Sequence, residues 1–116
     1  MKIFDCFIFF DEELLLDIRL NILDKHVDKF VIVESTYNHK GERRKPLFNI
    51  DNFQKFKDKI TYLLLDKEAP DLMEINDEDN QDEKYGKLIM NAVKRENFQR
   101  NFITEGLKEV RDEDWI

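Results

Sequence analysis

The chain has 116 residues and a formal net charge of −7. That length suits one folded domain, spanning 1–116, with a sizeable core, but it is short for a complete α/β enzyme. The acidic balance argues against phosphate backbones and anionic membranes as main partners, so we expect neither nucleic acid nor membrane binding.

The cysteine content and the apolar runs indicate the compartment. Cys6 is the single cysteine, so there is no internal disulfide and no thiolate metal cluster, and its place inside an apolar run predicts a buried, inert thiol. No segment has the length of apolar sequence that spans a bilayer. We therefore expect a soluble protein in a reducing, cytoplasmic compartment.

The N-terminal part of the chain predicts a strand–helix–strand unit. Lys2–Phe10 is almost wholly apolar and rich in Phe and Ile, which is typical of a strand covered on both faces. A helix with a broad apolar face follows, and Phe30–Val33 is the second strand. Two buried strands joined by one helix should be parallel, and ligands in such sheets bind at the carboxyl ends of the strands.

Two carboxylates mark that edge of the predicted sheet. Asp11 follows the first strand and Glu34 ends the second, so both are candidate ligand-binding residues. Asp11 has an alternative role as the N-cap of the following helix, and Glu34 has one as a surface or loop-bonding carboxylate. The basic patch Lys40–Lys45 nearby is interpreted as a solvated loop.

A third strand extends the α/β alternation. Asp51–Lys59 predicts a short helix and Ile60–Leu65 the third strand. Residues 67–84 are then mostly acidic and predict a mobile surface loop, which Gly86 is expected to end. This stretch lacks the glycine and the spacing of a Ca²⁺ loop, so we assign no metal to it.

Lys87–Arg111 is predicted to be the longest helix, with an apolar side at helical spacing. Glu96 and Arg100 lie four residues apart in the same sector. They form either a partly buried salt bridge or a pair that lines a ligand pocket, with Arg100 available to a phosphate or a sugar hydroxyl. Gly106 within this helix suggests close packing against the sheet.

The last residues combine an acidic turn with a new apolar pair. Asp112 and Asp114 form an aspartate–x–aspartate triplet, and Trp115 with Ile116 predicts the start of a fourth strand. Because the triplet precedes the strand, it lies away from the ligand edge of the sheet. A solvated turn is therefore favoured over a divalent-metal site, and no metal ligand is assigned.

Several blocks of residues, in order, resemble glycosyltransferase family 17, whose namesake is the β-1,4-mannosyl-glycoprotein β-1,4-N-acetylglucosaminyltransferase. The resemblance spans nearly the whole chain outside 67–84, and the ordered combination is more specific than any single block. The blocks are Phe4–Phe10, Glu13–Leu14, Leu16–Asn21, Val27–Glu34, Gly41, Lys45–Phe48, Phe56–Ile60, Arg95–Glu96, Gln99–Asn101, Gly106–Leu107 and the Asp112/Asp114 turn.

The resemblance implies a partial GT-A-like (nucleotide-diphospho-sugar transferase) fold, with a parallel sheet and flanking helices. It implies transfer of a hexose, with N-acetylglucosamine as the expected sugar, from a UDP-sugar to a glycan acceptor. Glu96, Arg100 and Asn101 become the first candidates for donor binding, followed by Asp11 and Glu34. Enzymes of this kind use a divalent cation, Mn²⁺ or Mg²⁺, held by an aspartate–x–aspartate motif.

The blocks correspond to the nucleotide-side, N-terminal half of such an enzyme. The metal motif, the acceptor side and the catalytic base are expected outside these residues, so the catalytic residues are left unassigned. We expect a complementing chain or a homo-oligomer to supply them. The alternative from another class is a non-catalytic α/β module that binds a nucleotide or a protein, and an unpaired sheet edge favours a partner in either case.

Overall fold

The computed structural model describes every residue from Met1 to Ile116 and is built on a small parallel sheet. Its strands are β1 (Phe4–Phe9), β2 (Lys29–Ser35) and β3 (Ile60–Leu65), in the order β1-β2-β3 and parallel throughout. The helices are α1 (Glu13–Leu23) and α2 (Gln81–Asn101), and two 3-10 segments span Ile50–Lys59 and Phe102–Gly106. The three-strand sheet with flanking helices confirms the predicted α/β class.

The apolar core lies between one face of the sheet, α1 and the first 3-10 segment. β2 is the central strand, and the side chains from Phe30 to Val33 are completely buried because both faces of the sheet are covered there. This explains why the strand is a continuous apolar run in the sequence. The core residues are Phe9, Leu16, Leu20, Val27, Phe30, Ile32, Phe53 and Phe56.

The opposite face of the sheet is covered by the second 3-10 segment, which approaches the strands closely at Gly106. A Cβ atom on Gly106 would lie 2.6 Å from Val31 Cγ1 and 3.1 Å from Leu63 Cδ1. Such distances leave no room for a side chain. The close packing that the sequence predicted at Gly106 is confirmed.

The predicted bounds of the long helix are wrong at both ends. α2 begins at Gln81, and Asn80 caps it by accepting a hydrogen bond from Glu83 N (2.8 Å) while donating one to the Glu83 carboxylate (2.8 Å). This reciprocal capping sets the start of the helix, so Gly86 lies inside α2 and does not end the acidic loop. Residues 81–84 of that predicted loop are therefore helical. The α-helical part ends at Asn101, well before Arg111.

The rest of the acidic segment, residues 67–80, has no regular secondary structure and lies along α2. The buried Asn91 side chain accepts from Met73 N (2.7 Å) and donates to Met73 O (2.9 Å). Lys87 binds Asp79 (2.7 Å), and Lys94 binds the carbonyl of Asp71 (2.5 Å). These bonds fix the path of the segment, whereas its mobility stays a prediction.

The face that α2 buries differs from the predicted one. The apolar residues Ile89 and Val93, expected on the buried side, are exposed, whereas the polar residues Asn91 and Gln99 are buried. With Arg95 these residues recur at every fourth position, which places them on one side of a helix. α2 therefore docks through hydrogen bonds from polar side chains to neighbouring backbone.

The end of the chain adds a residue to the free edge of β1. Trp115 forms a parallel bridge with Ile3, with Phe4 N donating to Trp115 O (2.7 Å) and Trp115 N donating to Lys2 O (2.8 Å). Asp114 accepts from Lys2 N (2.8 Å) and Arg111 N (3.0 Å), so its carboxylate closes a turn. The predicted start of a fourth strand is confirmed.

The side chain of Cys6 is partly buried in β1. Burial, followed by the charge of Asp5, raises the pKa of the partly buried Cys6 thiol to about 11, so the thiol stays protonated at neutral pH. None of the helices combines the length and the apolar character that crossing a membrane requires.

Candidate functional site

Glu34 organises the carboxyl end of the sheet. It is fully buried at the end of β2, and its carboxylate accepts from Tyr62 Oη (2.6 Å), Leu47 N (2.7 Å), Phe48 N (3.2 Å) and Arg44 Nη2 (3.0 Å). Both carboxylate oxygens therefore accept hydrogen bonds from the protein. Two of the four donors are backbone N–H groups of the loop that follows β2. Glu34 thus takes the loop-bonding role that the sequence left open.

Arg44 joins the ends of the first two strands. Besides its ion pair with Glu34, its guanidinium donates to the carbonyl oxygens of Ser35 (2.6 Å) and Phe10. Burial, and then the hydrogen bond to Glu34, raise the pKa of Tyr62, so its hydroxyl remains a donor at any physiological pH. This buried network fixes where the chain leaves β1 and β2, which is the edge where ligands bind in parallel sheets.

The loop after β2 forms a tight hairpin over that edge. Tyr37 and Arg43 form an antiparallel bridge, and the side chain of Asn38 accepts from the backbone N–H groups of Lys40 (3.0 Å) and Glu42 (2.9 Å). Gly41 takes a φ of +87°, a conformation that L side chains rarely adopt. The loop is therefore locally determined by its own polar groups and one glycine.

α2 holds this loop from the other side through Arg95 and Gln99. Arg95 donates to the carbonyl of His39 (3.1 Å) and to Glu68 (3.0 Å), and Gln99 donates to the carbonyl of Tyr37 (3.1 Å). The hairpin is thus tied both to the acidic segment and to α2. Any ligand over the carboxyl edge of β2 meets a loop whose carbonyls have been positioned by these two side chains.

Replacing Gly41 with alanine should destabilise the protein by about 1–2 kcal/mol, the usual penalty for a left-handed L residue. The added Cβ would also overlap the Arg95 guanidinium. Urea unfolding monitored by far-UV circular dichroism measures the change, and a Lys40→Ala variant in the same loop serves as the control. An unchanged free energy of unfolding for Gly41→Ala would contradict the geometry of the hairpin.

Two of the predicted donor-binding residues on α2, Glu96 and Arg100, directly follow Arg95 and Gln99 in the sequence. Glu96 and Arg100 form an i,i+4 ion pair of 2.7 Å, and the Arg100 side chain is 64% exposed. Asn101, the last residue of α2, is also exposed. The predicted ion pair between Glu96 and Arg100 is present, but it lies on the surface and is not partly buried as expected. Their role in donor binding stays a prediction.

Asp11 is exposed after β1 and does not cap α1. The N-cap residue is Glu12, no side chain caps the helix, and the Glu12 carboxylate instead accepts from Asp11 N (2.8 Å). The N-cap role that the sequence offered for Asp11 is therefore wrong, because the helix starts one residue later. No hydrogen bond or ion pair joins Asp11 or Glu34 to Glu96, Arg100 or Asn101, so the predicted residues form separate groups around the edge.

Sequence reasoning missed Arg44, Arg95, Gln99 and His39. The Gln99 Oε1 and His39 Nε2 atoms are buried without a hydrogen-bond partner, and the His39 ring meets Phe10 edge-on at 5.1 Å. Unpaired buried polar atoms are uncommon in folded proteins. The polar positions at four-residue spacing on α2 are the signal that would have found two of these residues.

Basic side chains give the edge beside β3 a positive character. Arg43 pairs with Asp66 (3.0 Å) and lies over the Tyr37 ring at 4.8 Å. The hydrogen bond from the Thr36 hydroxyl, and then the charge of Arg43, lower the pKa of the Asp66 carboxyl. A shallow cavity of about 470 Å³ opens here, lined by Thr36, Arg43, Arg44, Lys45, Pro46, Leu64 and Asp66.

The residues present do not form a divalent-cation site. No three His, Cys, Asp or Glu side chains come together in a group that could hold a metal ion. Asp114 bonds two backbone N–H groups at the opposite end of the sheet, away from Asp11 and Glu34. The structure therefore supplies no ligand set for the cation that the sequence resemblance implied, and no chemical step is derived through it.

Together these features define an α/β protein whose candidate site is the carboxyl edge of a parallel sheet. The hairpin Tyr37–Arg43 covers this edge, and α2 lies beside it. The family model described as Glycosyltransferase family 17 matches residues 1–108. The chain therefore belongs to glycosyltransferase family 17, and the matched range includes the sheet, both helices and the hairpin. No curated protein and no solved structure matched the chain.

Proposed function

We propose that the chain forms the donor-nucleotide side of a GT-A-like hexosyltransferase. The donor is a UDP-sugar, with N-acetylglucosamine as the transferred sugar, and the acceptor is a hydroxyl of a glycan. The observation that supports this most is the family match over residues 1–108. The acceptor side, the general base and the ligands of a Mn²⁺ or Mg²⁺ ion are proposed to lie outside these 116 residues.

The nucleotide is proposed to lie over the carboxyl edge between the exit of β1 and the C-terminal turn of α2. Arg100 has an exposed guanidinium that can bind a phosphate while it remains paired with Glu96. Asn101 and Asp11 offer hydrogen-bonding groups at the two ends of this region. Glu34 is proposed to act through the hairpin, because its own oxygens are already used by protein donors.

Hexosyl transfer breaks the bond between the anomeric carbon and the diphosphate oxygen and forms a bond from the acceptor oxygen to that carbon. The acceptor hydroxyl loses its proton to a base, and UDP leaves with an added negative charge. The part of this reaction that the chain can serve is binding and orientation of the nucleotide. A cationic side chain at the diphosphate, such as Arg100, would stabilise the leaving charge.

A non-catalytic interaction module is the second candidate function, and a specific observation favours it. Large apolar side chains are exposed on α1, where Leu15 and Ile18 line one groove together with Phe7. Contiguous exposed apolar surface marks protein–protein contact sites. Under this hypothesis the chain binds a partner and transfers no sugar under any metal condition.

Calorimetric titration with UDP and UDP-N-acetylglucosamine, with and without Mn²⁺, tests the donor site. We expect saturable binding that Arg100→Ala weakens by about tenfold or more, since a charge-assisted bond to phosphate is lost. Arg111→Ala is the matched control, because Arg111 is an exposed arginine at the opposite end of the sheet. No binding at millimolar nucleotide by a chain shown to be folded would overturn the donor-side proposal.

A further inference from the structure

α2 holds two separate segments of the chain through buried carboxamides. Asn91 binds the acidic segment with both polar atoms, because Oδ1 accepts from Met73 N (2.7 Å) and Nδ2 donates to Met73 O (2.9 Å). Gln99 binds the hairpin Tyr37–Arg43 with Nε2 alone, which donates to Tyr37 O (3.1 Å). The hairpin is therefore attached by one bond at a position where the acidic segment is attached by two.

Two buried polar atoms, one on the hairpin and one on α2, have no hydrogen-bond partner. They are His39 Nε2 and Gln99 Oε1, and Gln99 is only 2% exposed. A buried polar atom without a partner has lost its bonds to water, so it destabilises the arrangement that buries it. Both atoms would regain water if the hairpin moved away from α2.

The hairpin can move as a unit about its two ends. Its internal bonds, from Asn38 N to Glu42 O (3.0 Å) and from Gly41 N to Asn38 O (3.0 Å), need not break when it moves. Its ends are fixed, since Thr36 N donates to the last carbonyl of β3 (3.0 Å) and Arg44 belongs to the buried ion pair at the end of β2. The flanking residues are therefore natural hinges.

Few contacts hold the hairpin in its closed position. They include two hydrogen bonds of 3.1 Å from α2, a ring contact of 5.1 Å and an ion pair of 3.0 Å: Arg95–His39, Gln99–Tyr37, His39–Phe10 and Arg43–Asp66. Both side chains of the ion pair are 60% exposed, and such surface pairs contribute little to stability. Opening therefore gives up weak contacts and hydrates two unpaired atoms.

We propose that the hairpin Tyr37–Arg43 is a lid that opens and closes over the carboxyl edge of β1 and β2, with hinges at Thr36 and Arg44. Opening frees the Gln99 and Arg95 side chains from the hairpin carbonyls, so that both can donate hydrogen bonds to a ligand at this edge. The inference goes beyond the proposed function, because the lid moves with no nucleotide bound.

Hydrogen exchange of the two buried carboxamides, followed by NMR on the full chain, tests the lid. The Gln99 carboxamide protons should exchange about tenfold or more faster than those of Asn91, because only one polar atom of Gln99 is paired. Low urea should change the Gln99 rate little, since a local opening exposes little surface, whereas the core amides of residues 31–33 should accelerate. Gln99 protons no faster than those of Asn91, or with the urea dependence of the core amides, would overturn the proposal.

Replacing His39 with phenylalanine separates lid opening from general flexibility. His39→Phe removes the unpaired Nε2 but keeps a ring against Phe10, so the closed lid should gain stability and Gln99 exchange should slow by about tenfold. His26→Phe is the matched control, since His26 is exposed and distant in sequence from the hairpin. Asn91 exchange should keep its wild-type rate in both variants. An unchanged or faster Gln99 rate in His39→Phe would overturn the proposal, and if that variant does not fold, the comparison in the wild-type chain decides it.

Discussion

Replacing Glu34 with alanine is expected to destabilise the folded protein by about 3–5 kcal/mol, the usual effect of removing one partner of a buried ion pair. The substitution leaves the Arg44 guanidinium buried beside Phe10 and Ser35 without its counter-charge. It also removes the acceptor of the Tyr62 hydroxyl and of two backbone N–H groups in the loop after β2. Urea unfolding followed by circular dichroism gives the change in the free energy of unfolding.

Glu96→Ala is the matched control for that experiment. Glu96 also pairs with an arginine, but its ion pair is on the surface, where the contribution to stability is at most about 0.5 kcal/mol. A Glu34→Ala variant as stable as Glu96→Ala would contradict the buried network. In the same series, Glu34→Ala should also loosen the hairpin, which faster amide exchange at Tyr37–Arg43 would show.

Replacing Gly106 with valine is expected to destabilise the protein by an amount near the upper end of the roughly 1–3 kcal/mol typical of overpacking. Even the first carbon of the new side chain would lie 2.6 Å from Val31 Cγ1, and Val31 is completely buried in the central strand. The second 3-10 segment would have to move away from the sheet. Thermal and urea unfolding both measure the effect.

Gly86→Ala provides the opposite expectation at a second glycine of the same region. Gly86 lies within α2, and a Cβ there meets no atom within 4 Å. Alanine should therefore stabilise the protein by about 0.5–1 kcal/mol, the difference in helix propensity. A destabilised Gly86→Ala variant would contradict the start of α2 at Gln81, and a fully stable Gly106→Val variant would contradict the packing of the 3-10 segment.

The strands were predictable because their signals are local. β1, β2 and β3 are short runs of Phe, Ile, Val and Leu, and a strand covered on both faces needs no other feature. The third strand lies within the predicted bounds Ile60–Leu65. The predicted start of a fourth strand at Trp115 was also correct, since an apolar pair after a polar turn is again a local pattern.

The docking of α2 was not predictable from apolar periodicity. Its buried positions are Asn91 and Gln99, with Arg95 between them, and each binds backbone carbonyls or N–H groups of distant segments. Hydrophobic periodicity registers only apolar burial, so it pointed to Ile89 and Val93, which are exposed. Likewise, the start of α2 is set by the capping pair Asn80 and Glu83, a local pattern that Gly86 does not override because glycine is tolerated inside a helix.

The position of Glu34 at the end of β2 was predictable, but the side chains that bind it were not. Glu34 was found because it ends a strand, yet its role depends on Arg44 and Tyr62, which the sequence separates from it by loops and a helix. Hydrogen-bond partners of a buried carboxylate have no fixed spacing along a chain. Arg95 and Gln99, the first residues of two blocks that resemble the family, hold the hairpin through bonds to the carbonyls of His39 and Tyr37.

The most direct test of donor binding is amide chemical-shift mapping of the full chain during titration with UDP-N-acetylglucosamine. The proposed function predicts saturable shifts at Asp11, in the hairpin Tyr37–Arg43 and at Glu96–Asn101, with little change at Asp112–Ile116. Shifts confined to the Asp112–Ile116 end, or none at millimolar nucleotide, would contradict a donor site at the carboxyl edge of the sheet.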